Sequence, residues 1–185
     1  IRNCLVGSEM CIRDRYKGSK PVMWSPVEKT ALAEAEVEYK DIESTAITVG
    51  FQIKSSNESI LHNVFVPIWT TTPWTIPANR AIAYGKDLDY IIIEVLDNYE
   101  NKQFFVGQKI LIAKERLEKF ILDTNIDKYN LEKELKGHLL QGSVSMHPLS
   151  KEGYDFNVPL LHGDFVSTKQ GTGFVHVAPG HCLLY

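Results

Sequence analysis

Apolar and polar residues follow a two-residue rhythm along most of this chain, the period of half-buried β-strands. Residues 46–53 are rich in β-formers and run into the turn-prone Ser55-Ser56-Asn57. Residues 64–69 predict another strand, with Pro67 marking an edge or a bulge. Two more are predicted over 81–84 and 90–96, around a Gly85-Lys86-Asp87 turn. Residues 158–161 form an apolar segment, and 174–177 predict a final strand ending at Ala178-Pro179-Gly180. Residues 33–40 contain good helix formers. Their strict alternation nevertheless puts Glu34, Glu36 and Glu38 on one solvated face and predicts a strand. Helices are predicted over 110–122, from a stripe of Ile110, Leu117, Phe120 and Ile121, and over 129–135, ending near Gly137. There is no internal repeat or low-complexity linker. The expected fold is one β-rich α+β domain, a closed or nearly closed β-barrel with one or two peripheral helices.

Composition narrows the function classes. The chain has 185 residues, 44% hydrophobic and 23% charged, with a net charge of −3. That describes a globular chain with no broad basic footprint, so any nucleic acid must be gripped locally or by other parts of a larger protein. The most apolar run, Tyr90-Ile91-Ile92-Ile93, is cut by Glu94 and is far too short to span a membrane. The cysteines, Cys4, Cys11 and Cys182, all lie in the terminal segments, which argues against a disulfide framework or a thiolate zinc site. The expected location is the cytoplasm. Residues 4–14 resemble translated sequencing-adapter read-through, and Cys182-Leu183-Leu184-Tyr185 resembles the start of a similar tail. The expected organisation is therefore a non-native segment over 1–15, one domain over 16–181, and a non-native tail over 182–185.

Two segments carry the candidate chemistry. The run Trp69-Thr70-Thr71-Thr72-Pro73-Trp74-Thr75-Ile76-Pro77-Ala78-Asn79 sets four threonines and an asparagine among two tryptophans and two prolines. Short hydroxyls on a stiff backbone suit the grip of a small polar ligand, or the placing of a water. The second segment is Gly171-Thr172-Gly173-Phe174-Val175-His176-Val177-Ala178-Pro179-Gly180-His181. It is not a dinucleotide loop, because the third residue after Gly173 is His176 and no helix pattern follows. It lacks the end of a phosphate-binding loop, and its two histidines are not at zinc-protease spacing, so no metal is expected. No serine lies in a nucleophile elbow.

Together with Lys20-Pro21-Val22-Met23-Trp24-Ser25 and residues 31–39, these motifs occur in an order that resembles the inserted editing domain of isoleucyl-tRNA synthetases, over about residues 16–181. Related valyl and leucyl enzymes usually continue the threonine segment with Arg-Pro; the Pro73-Trp74-Thr75-Ile76-Pro77 continuation is the isoleucyl form. The resemblance implies a β-barrel that hydrolyses valine wrongly attached to isoleucine tRNA, inserted into an ATP-dependent ligase whose remainder is normally in the same chain. It implies Thr70, Thr71, Thr72 and His176 as catalytic residues. Trp74, Asn79, Gly173 and His181 would bind substrate, with Trp74 as an apolar wall, Asn79 on the terminal adenosine and His176 setting the size limit. No cofactor is implied for editing, while ATP and magnesium belong to the parent enzyme. Two departures stand out. The cysteine pair many members carry is replaced by Ser25-Pro26-Val27-Glu28-Lys29-Thr30, and the aspartate expected soon after His181 is missing, which implies impaired editing. The ligase motifs, His-x-Gly-His and Lys-Met-Ser-Lys-Ser, are also missing from the sequence. A valyl- or leucyl-type editing domain and a non-catalytic β-barrel that binds RNA ends remain the alternatives.

Overall fold

A computed structural model describes residues 22–41, 43–97 and 104–180. His181, and the terminal segments expected to be non-native, lie outside the described residues. The chain divides into two compact units, Ile1–Glu43 and Ser44–Tyr185.

In the first unit, β1 (Trp24–Ser25) pairs antiparallel with β2 (Thr30–Ala31). The strand expected over 33–40 is not formed. A 3-10 turn, Glu34–Glu36, stands there instead, and the Glu36 carboxylate accepts from the Ala33 amide at 2.7 Å. The physical reason is visible in the alternation itself. Half of its apolar face is alanine, Ala33 and Ala35, and Tyr39 stays exposed, so too little surface is buried to hold a strand against a sheet.

The second unit is built on nine strands: β3 (Ile47–Ser55), β4 (Phe65–Thr70), β5 (Ala81–Tyr84), β6 (Asp89–Asp97), β7 (Lys109–Ala113), β8 (Lys128–Lys136), β9 (Val144–Met146), β10 (Asn157–His162) and β11 (Phe174–Val177). Their order across the sheet is β11-β5-β10-β9-β3-β4-β7-β6-β8. The β10–β5 and β4–β7 pairs are parallel and the others antiparallel. One cluster gathers Phe51, Ile53, Val66, Ile68, Ile82, Tyr90, Leu111 and Phe174; a second, with Ile91, Ile93, Ile110, Ile112 and Phe120, lies under the helix α1 (Leu117–Thr124).

The β-rich reading holds, with one correction: the hydrogen-bond ladder does not close into a barrel. It ends at β8, which is exposed at every residue except Leu135 and therefore has no second apolar flank to offer β11. The segment before β11 reaches β4 and β7 instead, where Thr172 Oγ1 donates to the Pro67 carbonyl at 2.5 Å and the Ala113 amide donates to the Thr172 carbonyl at 3.1 Å. β4 is not an edge strand, since it lies between β3 and β7; Pro67 is tolerated because β4 pairs with β7 only at Phe65↔Ile110, which leaves no ladder partner for a Pro67 amide on that side.

Both predicted helices are corrected. Over 110–122 the helix is confined to α1, and the leading residues form β7 with both faces buried: Leu111 and Ala113 in one cluster, Ile110 and Ile112 in the other. A short apolar run buried on both sides reads alike as strand or helix from periodicity. The helix expected over 129–135 is β8. Its composition favours helix, but the open edge of β6 captures it with register Tyr90↔Leu135, helped by the Lys136–Asp89 ion pair at 2.7 Å.

Candidate functional site

The threonine run leaves β4 with alternate residues turned inward, so Thr70 is buried while Thr71 and Thr72 are exposed. Pro73 then opens a 3-10 helix, Pro73–Ala78, with its backbone dihedral already set for that turn. Thr75 and Ile76 face inward from it, whereas Trp74 is 69% exposed. The Asn79 amide closes the last turn on the Ile76 carbonyl at 3.0 Å, and the Arg80 amide joins the Val177 carbonyl at 2.9 Å, starting β5 beside β11. The β5–β11 register sets His176 opposite Ile82, and alternation turns Phe174 and His176 to the inside.

His176 thereby meets the threonine run from a separation of about a hundred residues. Asn79 Nδ2 donates to the Ala81 carbonyl and to His176 Nδ1, each at 3.0 Å. Flipping that amide would set its oxygen against the Ala81 carbonyl, so the nitrogen is the donor and Nδ1 the acceptor. The neutral ring consequently carries its proton on Nε2, which donates to Thr75 Oγ1 at 2.8 Å. Thr75 Oγ1 donates a hydrogen bond to the Thr72 carbonyl at 2.7 Å and lies 3.3 Å from Thr72 Oγ1. Thr72 Oγ1 lies 3.1 Å from Thr70 Oγ1, which accepts from the Thr72 amide, also at 3.1 Å. A chain of polar groups thus runs from a buried imidazole to an exposed hydroxyl.

The structure brings Thr70, Thr72, Asn79 and His176 together. Thr71 points to solvent and Trp74 lies open beside the run. Asn79 is fully buried, with both amide hydrogens engaged, and its Oδ1 finds no hydrogen-bond partner. Gly173 serves the backbone: its φ is +83°, and a Cβ there would lie 2.3 Å from Ala113 Cβ. Its carbonyl accepts from the Tyr90 hydroxyl at 2.8 Å, and burial pushes that phenol up to about 12, so it stays a donor. Sequence reasoning missed Thr75 as the direct partner of His176; its signal was the three-residue step from Thr72, one 3-10 turn.

It also missed His147. This ring is buried against Phe51, Tyr154 and Phe156, with Arg80 over the Phe156 ring at 4.0 Å. Nothing in Met146-His147-Pro148 signals such a role. Burial holds its pKa below the usual 6.5; the nearby Arg80 charge adds to this, while the Ile76 carbonyl opposes it. The unfolded chain therefore binds the proton more readily, and the contribution to stability is complete above 6.5 and lost as pH falls below it. Urea midpoints should drop between about pH 7.5 and about pH 5.5, and His147→Gln should shrink that drop. An equal drop in wild type and variant would contradict this.

A groove of about 1070 Å³ lies elsewhere, on the outer face of β4, lined by Trp69, Phe105, Arg116, Lys119 and Lys169 among others. None of Thr70, Thr72, Trp74, Asn79 or His176 lines it. Arg116 is spent on the Gly171 carbonyl at 2.8 Å. Size alone does not outweigh the convergent polar groups at the threonine run. Among the described residues, no group of three or more His, Cys, Asp or Glu could hold a metal ion, and no helix is long and apolar enough to cross a membrane.

The family model for class I tRNA synthetases (I, L, M and V) matches residues 12–153. The chain belongs to the class I tRNA synthetases. Isoleucine–tRNA ligases from Gluconobacter oxydans and Pelagibacter ubique are 51% and 49% identical to it, over 90% and 92% of the chain. A probable mitochondrial isoleucine–tRNA ligase of Dictyostelium discoideum is 41% identical over 90%. The chain spans only 18% and 19% of the two bacterial ligases, so it corresponds to one portion of such a synthetase. In fold it is similar to the editing domain of Plasmodium knowlesi cytosolic leucyl-tRNA synthetase (TM-score 0.54, 8% identity, 76% of this chain and 60% of that one). It is also similar to the GlLeuRS-CP1 structure (TM-score 0.53, 15% identity, 73% and 55%). The architecture of this synthetase portion is thus that of an editing domain.

Proposed function

We propose that this chain is the editing domain of an isoleucine–tRNA ligase and that it hydrolyses valine from wrongly charged isoleucine tRNA. The observation that carries the reading is the polar chain from His176 through Thr75 to Thr72, ending at an exposed hydroxyl beside Trp74. The resemblance to isoleucyl-tRNA synthetases implies that these residues belong to an editing pocket, and the fold is similar to that of the editing domain of a leucyl-tRNA synthetase.

The chemical need is definite. A pocket that fits isoleucine also admits valine, because one methylene changes binding by only about 1–3 kcal/mol. A second site that accepts the smaller side chain and hydrolyses its ester repairs the error. Ester hydrolysis needs a held water and a polarised carbonyl, and no covalent nucleophile. Neutral hydroxyls at Thr71 and Thr72 can orient a water without first losing a proton, while His176, fixed by Asn79, stiffens the floor beneath them. The partner is the aminoacylated 3′ end of tRNA. Ligation, with its ATP and magnesium, is assigned to the rest of the ligase, and no editing step runs through either.

The test is deacylation of valyl-tRNA for isoleucine by this chain, with isoleucyl-tRNA as the excluded product. Thr72→Ala should slow the valyl reaction about 100-fold. Preference for threonine-charged valine tRNA would move the assignment to the valyl type. Binding without turnover, even with the aspartate expected after His181 restored, would replace hydrolysis with capture of RNA ends.

A further inference from the structure

The Ile76 carbonyl accepts two hydrogen bonds. One comes from the Asn79 amide at 3.0 Å and closes the 3-10 turn that presents the Asn79 side chain to His176. The other comes from His147 Nε2 at 2.9 Å, across 71 residues of sequence. A carbonyl only accepts, so Nε2 carries the proton. His147 Nδ1 in turn accepts from the Leu149 amide at 3.2 Å, and that fixes the same neutral tautomer from the other side of the ring.

We infer that His147 is a positioning residue for the threonine–histidine site: by holding the Ile76 carbonyl it sets Asn79, and through Asn79 the tautomer and placement of His176. The inference rests on the hydrolytic reading only for its kinetic arm.

The ring itself has little freedom. It is 1% exposed and stacked on Tyr154 at 5.4 Å and 26°, with Phe156 tilted against it at 4.9 Å and Phe51 edge-on at 6.1 Å. The loop that follows is tied to it: the Ser150 amide donates to the His147 carbonyl at 3.0 Å, and the Glu152 and Tyr154 amides donate to the Leu149 carbonyl at 2.9 and 3.3 Å. Elsewhere the helix Pro73–Ala78 is held by its own short turns and by the Thr75 contact to His176. His147 is therefore a fixed external donor on the one carbonyl that also orders Asn79. A donor in that place acts as outer partners do for metal-bound histidines, orienting a group that then orients the next. The chain of contacts is contiguous: His147, Ile76, Asn79, His176, Thr75, Thr72.

Two substitutions separate the ring's two hydrogen bonds. In His147→Gln the side-chain amide reaches the place of Nε2 and keeps a donor for the Ile76 carbonyl. In His147→Asn it stops at the place of Nδ1 and loses that donor. In the 15N-labelled chain, wild-type His176 should show one bare ring nitrogen (Nδ1) and one protonated nitrogen (Nε2). His147→Gln should keep that signature, whereas His147→Asn should average the two nitrogens as the tautomers exchange. In valyl-tRNA hydrolysis the Asn variant should lose about tenfold in kcat with KM little changed, and the Gln variant should recover most of it. Equal loss in both variants, or an unchanged His176 signature in the Asn variant, overturns the inference and leaves His147 as core packing. If neither variant folds, the wild-type chain carries the test: the His147 Nε2 proton and the Asn79 amide must exchange with solvent through one opening event of the same equilibrium constant, and separate constants overturn it. Absence of any hydrolysis by wild type, even with the aspartate expected after His181 restored, would defeat the hydrolytic reading alone, because the ring-nitrogen signature still decides the role of His147.

Discussion

Alanine at position 173 should lower the melting temperature of this chain by about 10 °C, since a chain of this size loses about 2–4 °C per kcal/mol. Two penalties combine. With φ at +83°, any side chain costs about 1–2 kcal/mol in backbone strain. The new Cβ would sit 2.3 Å from Ala113 Cβ at the end of β7, and forcing a buried methyl into such a gap costs about 1–3 kcal/mol. The neighbouring backbone cannot easily yield. The Gly173 carbonyl holds the Tyr90 hydroxyl, and the preceding Thr172 is bonded to Pro67 and Ala113 on two different strands. Calorimetry on Gly173→Ala decides the matter. A melting temperature within about 2 °C of wild type would mean that the turn relaxes more freely than its contacts allow.

His176→Ala should have the larger effect on chemistry, a loss of about 100-fold in valyl-ester hydrolysis, the scale of losing one preorganised polar contact at a reacting centre. The substitution strips the Asn79 amide of one of its two acceptors and Thr75 of its donor, in a place water does not freely reach. Each orphaned buried group costs about 1–3 kcal/mol, so stability should fall as well. The two effects are separable by single-turnover deacylation at a temperature where circular dichroism shows the variant folded. A folded variant that hydrolyses valyl-tRNA at the wild-type rate would remove His176 from the mechanism.

The sequence announced much of this arrangement, because the relevant signals are local. Alternation located β3, β4, β5, β6 and β11; composition drew attention to the threonine run, and the resemblance to isoleucyl-tRNA synthetases singled out Thr70, Asn79 and His176. What stayed hidden depends on distant partners. β7 and the start of α1 merge into one apolar run, and only burial between two clusters makes residues 109–113 extended. β8 has a helix former's composition and is extended because β6 offers it an edge. His147 is one imidazole beside a proline, and its meaning comes from a carbonyl 71 residues earlier in the chain. Asn79 is fully buried beside His176, and no spacing rule foretells that burial.

β8 also has a protective aspect. The strand it covers, β6, carries Tyr90-Ile91-Ile92-Ile93 and Val95, five buried side chains in a segment of high β-propensity. Without a neighbour on that side, its row of amides and carbonyls would be a template for strands of other molecules. β8 presents glutamates outward to lysines at the start of β7 and just after its end, paired as Lys109–Glu132 and Lys114–Glu134 at 2.8 Å each. Such exposed pairs contribute little to stability and weaken in salt. Beyond its backbone ladder with β6, the cover is thus held by a light side-chain clasp. Fraying of this edge, well short of global unfolding, is the event that would turn a folded molecule into a seed for aggregation.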